Sequence, residues 1–254
     1  MAIQFHSEAI VLKNMDYQEA DKLVSVFSAV RGKIQVVARG VKKPGSSLRA
    51  LVQPFCHVQL YLVKGRSMAV VTQGRMIDFY GNIRQDLFTA MQAVYMMELL
   101  DKALMDEVPL PKLFYSTHQV LRAMNEGCVT PLLLRYFEVR LLVELGYTPV
   151  LDRCVNCGSK EIGAGLFKLA AGGLLCPQCA RQENGLIAVR PDSLALLRLL
   201  TNASAHVIDR IHSNPASLNQ LEWFLEQYLE YYLERRFTMK HTIRWLKKNL
   251  PVNG

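Results

Sequence analysis

The chain is expected to adopt an α+β fold, and two observations predict it. Short segments of β-branched and aromatic residues, some with a period of two, crowd the first eighty residues, and apolar residues at helical spacing take over near Tyr80. A third observation adds a small module to this plan: two Cys-x-x-Cys pairs stand near each other, while the other two cysteines, Cys56 and Cys128, are isolated. With 254 residues, 50% of them apolar, the chain has material for one large domain or two to three small ones.

The segments EAIVLKN, DKLVSVFSAV, GKIQVVARGV, CHVQLYLV and MAVVTQGRMIDF are separated by Gly, Pro or polar turns and read as strands. Within the fourth, His57, Gln59 and Tyr61 alternate with Val58, Leu60 and Leu62, the pattern of a sheet with one buried face. Five strands in so short a span predict a small closed barrel, either an OB-fold or an SH3-like barrel. The OB-fold commonly holds single-stranded nucleic acid.

Beyond Tyr80, DLFTAMQAVYMMELLDKALMDE places Leu87, Met91, Val94, Tyr95 and Leu99 on one helical stripe. PKLFYSTHQVLRAMNEG starts near Pro111 and stops at Gly127; TPLLLRYFEVRLLVELGY has Thr130 as its cap, Pro131 at its first position and Gly146 at its end. RPDSLALLRLL and NQLEWFLEQYLEYYLERRF resume the pattern, the latter with Leu221, Phe224, Leu225, Tyr228, Leu229 and Tyr232 as the core stripe of a helical bundle. The basic tail KHTIRWLKKNLPVNG ends in turn residues and is expected to fray or lie on the surface. Expected domains are therefore a barrel over 1–80, helices over 81–150, a cysteine insertion over 151–184 and helices over 185–254.

The net charge of +8 is unevenly spread. Residues 1–80 hold eleven Lys and Arg against five acids, and no acid occurs between Lys22 and Ile77. Solvated charged faces usually mix signs, so an acid-free run of this length points to a polyanion, foremost a nucleic acid. The N-terminus lacks a basic region followed by an apolar run, and no window reaches the length of a membrane span, so a cytoplasmic location without membrane contact is expected. Thiols stay reduced in that compartment.

The spacing Cys154-x2-Cys157-x18-Cys176-x2-Cys179 falls within the range of a four-cysteine zinc site. Two such knuckles supply a tetrahedral thiolate cage with bonds of about 2.3 Å and leave no open position, so the expected role of Zn²⁺ is structural. A redox dithiol and an iron–sulfur cluster are the competing readings; redox motifs use one Cys-x-x-Cys at a helix start, and here there are two. Gly158 permits the first tight turn, Gly172 and Gly173 a hairpin between the knuckles, and Cys56 and Cys128 are expected to be buried and inert.

No pattern for catalysis emerges. His6-Ser7-Glu8 matches half of a zinc-deaminase signature, but Leu175 precedes Cys176 where proline is required, and four cysteines leave no place for a bound water. Phosphate-cradling, H-E-x-x-H and G-x-S-x-G motifs are absent from the sequence, and its six histidines are scattered. A binding protein is expected, not an enzyme. A zinc-ribbon regulator reading duplex DNA is the alternative, with TIRWLKKN as its nearest candidate for a groove-reading helix.

The AIVL strand, DYQEAD at Asp16 to Asp21, RGK at Arg31 to Lys33, ARGVKK at Ala38 to Lys43 and SSLRALVQPF from Ser46 to Phe55 resemble the start of the bacterial RecO family of DNA repair and recombination mediators. The order of regions agrees along the chain, through ELGYTPVLDRCVNCG to the last helical stretch. The resemblance implies an N-terminal five-stranded OB-fold barrel, then a helical domain carrying a four-cysteine zinc-knuckle insertion. It also implies binding of single- and double-stranded DNA, annealing of complementary strands, and loading of RecA, together with RecR, onto strands coated by single-stranded DNA-binding protein, in association with the nucleoid. Transferred to this chain, the DNA-binding role falls on Lys33, Arg39, Lys42, Lys43 and Arg49 as phosphate contacts, with Tyr61 and Phe79 as candidates for base stacking or barrel core. The acidic tail of single-stranded DNA-binding protein would meet Arg122, Arg135 and Arg140 around an apolar pocket.

Overall fold

The computed structural model describes residues 4–65, 67–163, 165–203, 205–237 and 242–243, with the backbone alone for His206 and Asp209. Arg66, His241 and the basic tail, apart from Thr242 and Ile243, lie outside the described residues.

All five expected strands form, and they close into a barrel of order β1-β2-β3-β5-β4. Strand β1 (Gln4–Tyr17) is long because it serves two neighbours. Its first half, Gln4 to Ile10, pairs with β4 (His57–Val63), and its second half pairs with β2 (Asp21–Ser28) across a register shift between Val11 and Lys13. Such a bulge bends a strand and lets one sheet curl on itself. Strand β3 (Gly32–Ala38) runs antiparallel to β2, and closure comes from a short parallel pairing of Val36–Ala38 with the start of β5 (Ala69–Asp78). Valine and leucine fill the interior, including Val24, Val26, Val36, Val58, Leu60 and Leu62, and each contributes roughly 1.5–3 kcal/mol by burial. The short helix α1 (Leu48–Leu51) lies between β3 and β4 and adds Leu48 and Leu51 to that core. This is the OB-fold, with Gly74 in β5 leaving room for the Leu51 side chain, whose Cδ1 would stand 2.7 Å from a β-carbon there.

The expected alternation in β4 holds at Leu60, Tyr61 and Leu62 but not at His57, which is 3% exposed on the outer face. Helix α4 (Pro111–Asn125) covers it with Phe114 and His118, and Glu8 hydrogen-bonds its Nε2 at 2.8 Å. Helices α2 (Gly81–Gln85) and α3 (Leu87–Ala103) precede α4. Asp86 caps α3 by accepting from Thr89 N at 2.7 Å, and Asp101 near its end takes Lys13 and Ser25 of the barrel. Met91, Tyr95 and Leu99 are buried as expected, whereas Leu87, in the first turn of the helix, is exposed.

Because α3 and α4 bury outer faces of β1 and β2, with Phe114 against Phe27, residues up to Val129 pack as one compact unit, joined by Phe237 and the described residues beyond it. Thr130–Arg236 form another. The packing boundary thus falls at 129/130, while the change from strands to helices falls near 80, where the sequence places it.

The second unit is built on α5 (Pro131–Glu144), α7 (Pro191–Asn202) and α8 (Pro215–Leu233). Thr130 Oγ1 caps α5 by accepting from Leu133 N, and Gly146 at φ +85° follows its end. Asn214 caps α8, which therefore starts earlier than its apolar stripe. Leu221, Phe224, Leu225, Tyr228 and Leu229 are buried; Tyr232 is half-buried and donates to Leu169 O. Between α5 and α7 lie β6 (Leu166–Lys168), β7 (Gly173–Leu175), α6 (Pro177–Ala180) and β8 (Ile187–Ala188). The β6–β7 hairpin turns at Gly172, φ +66°, as the paired glycines predict. Phe167 meets Phe224 and Tyr228 edge to face, which fastens the hairpin to α8.

Candidate nucleic-acid surface and metal centre

The turn after β3 brings four of the five predicted cations onto one segment. Gly40 N donates to Asp21 Oδ1 and Lys42 N to Ala20 O, so the turn is tied to the neighbouring β1–β2 connection. Arg49 donates to the carbonyls of Lys42 and Lys43, both at 2.9 Å. It therefore shapes the turn from the inside while remaining exposed. Lys42 lies 2.8 Å from Asp16, whose carboxyl is held below its ordinary value chiefly by that hydrogen bond. Asp16 is exposed, so water screens the pair and a phosphate can compete for the lysine. Arg39 and Lys43 extend into solvent.

Lys33 is placed differently. It sits at the other end of β3, roughly 20 Å away along the strand by the usual rise per residue. Its ammonium donates to Asp101 O at 2.9 Å and pairs with Asp106 at 3.2 Å, and its side chain is 13% exposed. Of the stacking candidates, Tyr61 is 47% exposed beside His6, while Phe79 is partly covered by Arg84, whose guanidinium also lies over Phe55. An exposed cation that is not among the predicted phosphate contacts, Arg31, stands 3.9 Å above the Phe5 ring. The two border a cleft of about 400 Å³ that also includes Gln35, Ser67 and Met68. Phe5 and Arg31 are far apart in sequence, and the folded barrel brings them together.

The three arginines assigned to a peptide tail are not brought together within one unit. Arg122, in the first unit, is exposed and paired with Glu126. Arg140 pairs with Glu144 one turn on, and Arg135 is 5% exposed with its guanidinium 3.2 Å from Glu138. Helix α5 is buried over most of its surface, so Arg135 faces the protein interior and not a solvent-facing rim.

The sulfurs of Cys154, Cys157, Cys176 and Cys179 all lie within 4.8 Å of one another, and Cys157 and Cys176 are 3.6 Å apart. A tetrahedron with bonds of about 2.3 Å has edges of roughly 3.8 Å, so this donor set fits a four-thiolate metal ion. All four are free thiols. Burial pushes the Cys154 thiol up, but backbone donors at Cys157, Cys176 and Asn156 outweigh it and bring it down to about 6. Cys179 is pushed up to about 12, first by its hydrogen bond with Cys176. Without a cation the cluster cannot carry four negative charges; a bound metal would supply the missing positive charge.

Cys56 is buried, as expected, and accepts from Arg84 at 3.2 Å, whereas Cys128 is exposed because it lies past the end of α4. His57 and His118, scattered in sequence, meet with ring centres 4.8 Å apart, and burial lowers the pKa of His118. Among the described residues no helix is long and apolar enough to cross a membrane.

Two family models match the chain. Residues 1–80 match the model "Recombination protein O N terminal" and residues 84–241 match "Recombination protein O C terminal". The DNA repair protein RecO of Syntrophomonas wolfei is 49% identical over 96% of this chain and 98% of its own length. Those of Bacillus pumilus and Moorella thermoacetica are 36% and 34% identical, over 87% and 88% of this chain and 86% of each relative. With both of its parts matched and relatives that span nearly its whole length, this chain belongs to the RecO family of DNA repair proteins.

Proposed function

We propose that this protein acts in DNA repair and recombination as a non-catalytic mediator. It binds single- and double-stranded DNA without regard to sequence, anneals complementary strands and, with RecR, promotes RecA loading onto strands coated by single-stranded DNA-binding protein. The observation that carries the reading is the turn after β3, where Arg39 and Lys43 are exposed, Lys42 is paired with an exposed carboxylate, and no acid follows until Asp78. Cations on a turn contact phosphates in any sequence, and two screened strands held on one basic surface anneal faster. Zn²⁺ is the proposed metal, with a structural role, because the four thiols leave it no open position.

Contact with the acidic tail of single-stranded DNA-binding protein is proposed for the helical part, with the exposed Arg122 as its candidate cation; Arg140 is largely covered and paired with Glu144, and Arg135 supports α5 from within. The direct test is annealing, without ATP, of complementary oligonucleotides already coated with the cognate single-stranded DNA-binding protein. The unaltered protein should speed the reaction and an Arg39→Glu/Lys43→Glu variant should not. Equal rates for the two would remove the turn from the mechanism.

A further inference from the structure

Strand register rules the outward face of β1, β4 and β5 into rungs. His6 lies opposite Tyr61 and Tyr61 opposite Gln73; two residues along, Glu8 faces Gln59 and Gln59 faces Arg75; then His57 faces Asp78. Helix α4 closes the last of these over His57. The first stays open, with His6, Tyr61 and Gln73 all exposed. The His6 and Tyr61 rings are 6.2 Å apart and tilted by 43°, on the wall of a cleft of about 470 Å³ that Gln4, Thr72 and Gln73 also line. Two π faces and three groups able both to donate and to accept hydrogen bonds therefore share one shallow site.

Charge selects the occupant. From His57 to Ile77 the sequence has three cations, Lys64, Arg66 and Arg75, and no acid. Lys64 and Arg75 are exposed, and Arg75 is one rung, about 7 Å along the strand, from Gln73. An aromatic platform with cations at this spacing fits an unpaired base and its neighbouring phosphates.

We propose that the His6–Tyr61–Gln73 rung is a nucleobase-stacking subsite for single-stranded nucleic acid. Tyr61 takes the base, and Lys64 and Arg75 take the flanking phosphates. The subsite rests on the reading of this chain as a single-strand binder and adds to it a contact that duplex DNA cannot make, since paired bases are stacked inside. Annealing would then remove the base contact while leaving the phosphate contacts, which favours release of the product.

The test compares binding of the full-length protein to an oligothymidylate, an abasic strand of the same length and a duplex, at one salt concentration. Tyr61→Ala should weaken the oligothymidylate about tenfold or more and leave the other two unchanged. Tyr61→Phe should bind like the unaltered protein, since stacking does not need the hydroxyl. A strand carrying 5-bromouracil should photocrosslink to the peptide containing Tyr61. Equal losses on thymidylate and abasic strands would overturn the subsite, as would no loss on either while the unaltered protein still binds both; in that second case the phosphate reading survives. If the unaltered protein binds no single strand, both readings fall. If Tyr61→Ala instead weakens only an acidic peptide ending in phenylalanine, the face is a protein contact and the proposal is wrong.

Discussion

Lys33 and Asp106 form an ion pair at 3.2 Å that fastens the start of β3 to the loop after α3. Glu107 N donates to Lys33 O at 2.8 Å in the same place, and Gly32 beside it has no room for a β-carbon, which would stand 2.2 Å from Val108 O. This lysine is therefore occupied with the barrel's own geometry. Arg39 and Lys43, from the same basic run of sequence, are open to solvent.

Their substitutions should separate cleanly. Lys33→Ala is expected to cost about 1 kcal/mol of stability and to leave the salt dependence of single-strand binding unchanged. Arg39→Ala with Lys43→Ala should leave the denaturation midpoint in place and reduce the log–log salt slope by roughly 0.7 per residue. Denaturant unfolding and salt titrations of binding read the two effects independently. A reduced slope for Lys33→Ala would show that it meets phosphate after all.

Why the sequence could not tell these lysines apart is a matter of range. Alternation and turn chemistry act over a few residues, which made all five strands and the caps at Thr130 and Gly146 legible. The partner of Lys33 lies in a loop that follows α3, far along the chain. The same holds for His57, whose burial depends on Phe114 and His118, and for Arg135, whose helix is buried on nearly every side. The cysteine cluster was readable because both halves of the site carry their spacing in the sequence itself.

Asp86 gives a pH-dependent expectation. Its carboxyl is held below the ordinary value of 3.8, first by the Thr89 hydroxyl and then by the Thr89 backbone N–H. A lowered folded-state pKa means the stabilisation is fully present above the unfolded value and disappears as pH falls through the folded one. Asp86→Ala should lose about 1 kcal/mol at neutral pH, and melting curves of variant and parent should converge in acid below the ordinary carboxylate range. A constant difference down to that acidity would show that the cap does not depend on its charge.

Arg135 offers a contrast between a structural and a recognition role. Its guanidinium and the Glu138 carboxylate are both buried, and removing one partner of such a pair typically costs about 3–5 kcal/mol. Arg135→Ala should therefore lower the unfolding midpoint strongly, whereas Arg122→Ala, at an exposed i,i+4 pair, should barely move it. If Arg135→Ala folded with its midpoint intact and failed only to bind the acidic tail peptide, the residue would be a recognition group despite its burial.

The four-cysteine cluster gives the sharpest local expectation. Around it the apolar cluster is small, with Leu175 and Ala180 the buried residues beside Cys154 and Cys176. The knuckles turn on short-range bonds such as Gly158 N to Cys154 O and Ala180 N to Cys176 O, and the bond from Val155 N to Leu174 O ties the first of them to β7, each at 2.9 Å. So little buried area cannot fix two loops by itself, and metal binding is worth roughly 10–16 kcal/mol in isolated zinc peptides. The β6–β7 hairpin, in contrast, has Phe167 locked against Phe224 and Tyr228. Chelation should therefore speed amide exchange at residues 154–159 and 176–180 far more than at Phe167. Metal analysis should find one zinc ion per chain, lost in Cys154→Ser but retained in Cys128→Ser, whose sulfur stands outside the cluster. Since protons compete with metal for thiolates, release should also increase as pH falls. Unchanged exchange in the knuckles after the metal is removed would mean that the loops fold without it, and the structural role assigned to the ion would be wrong.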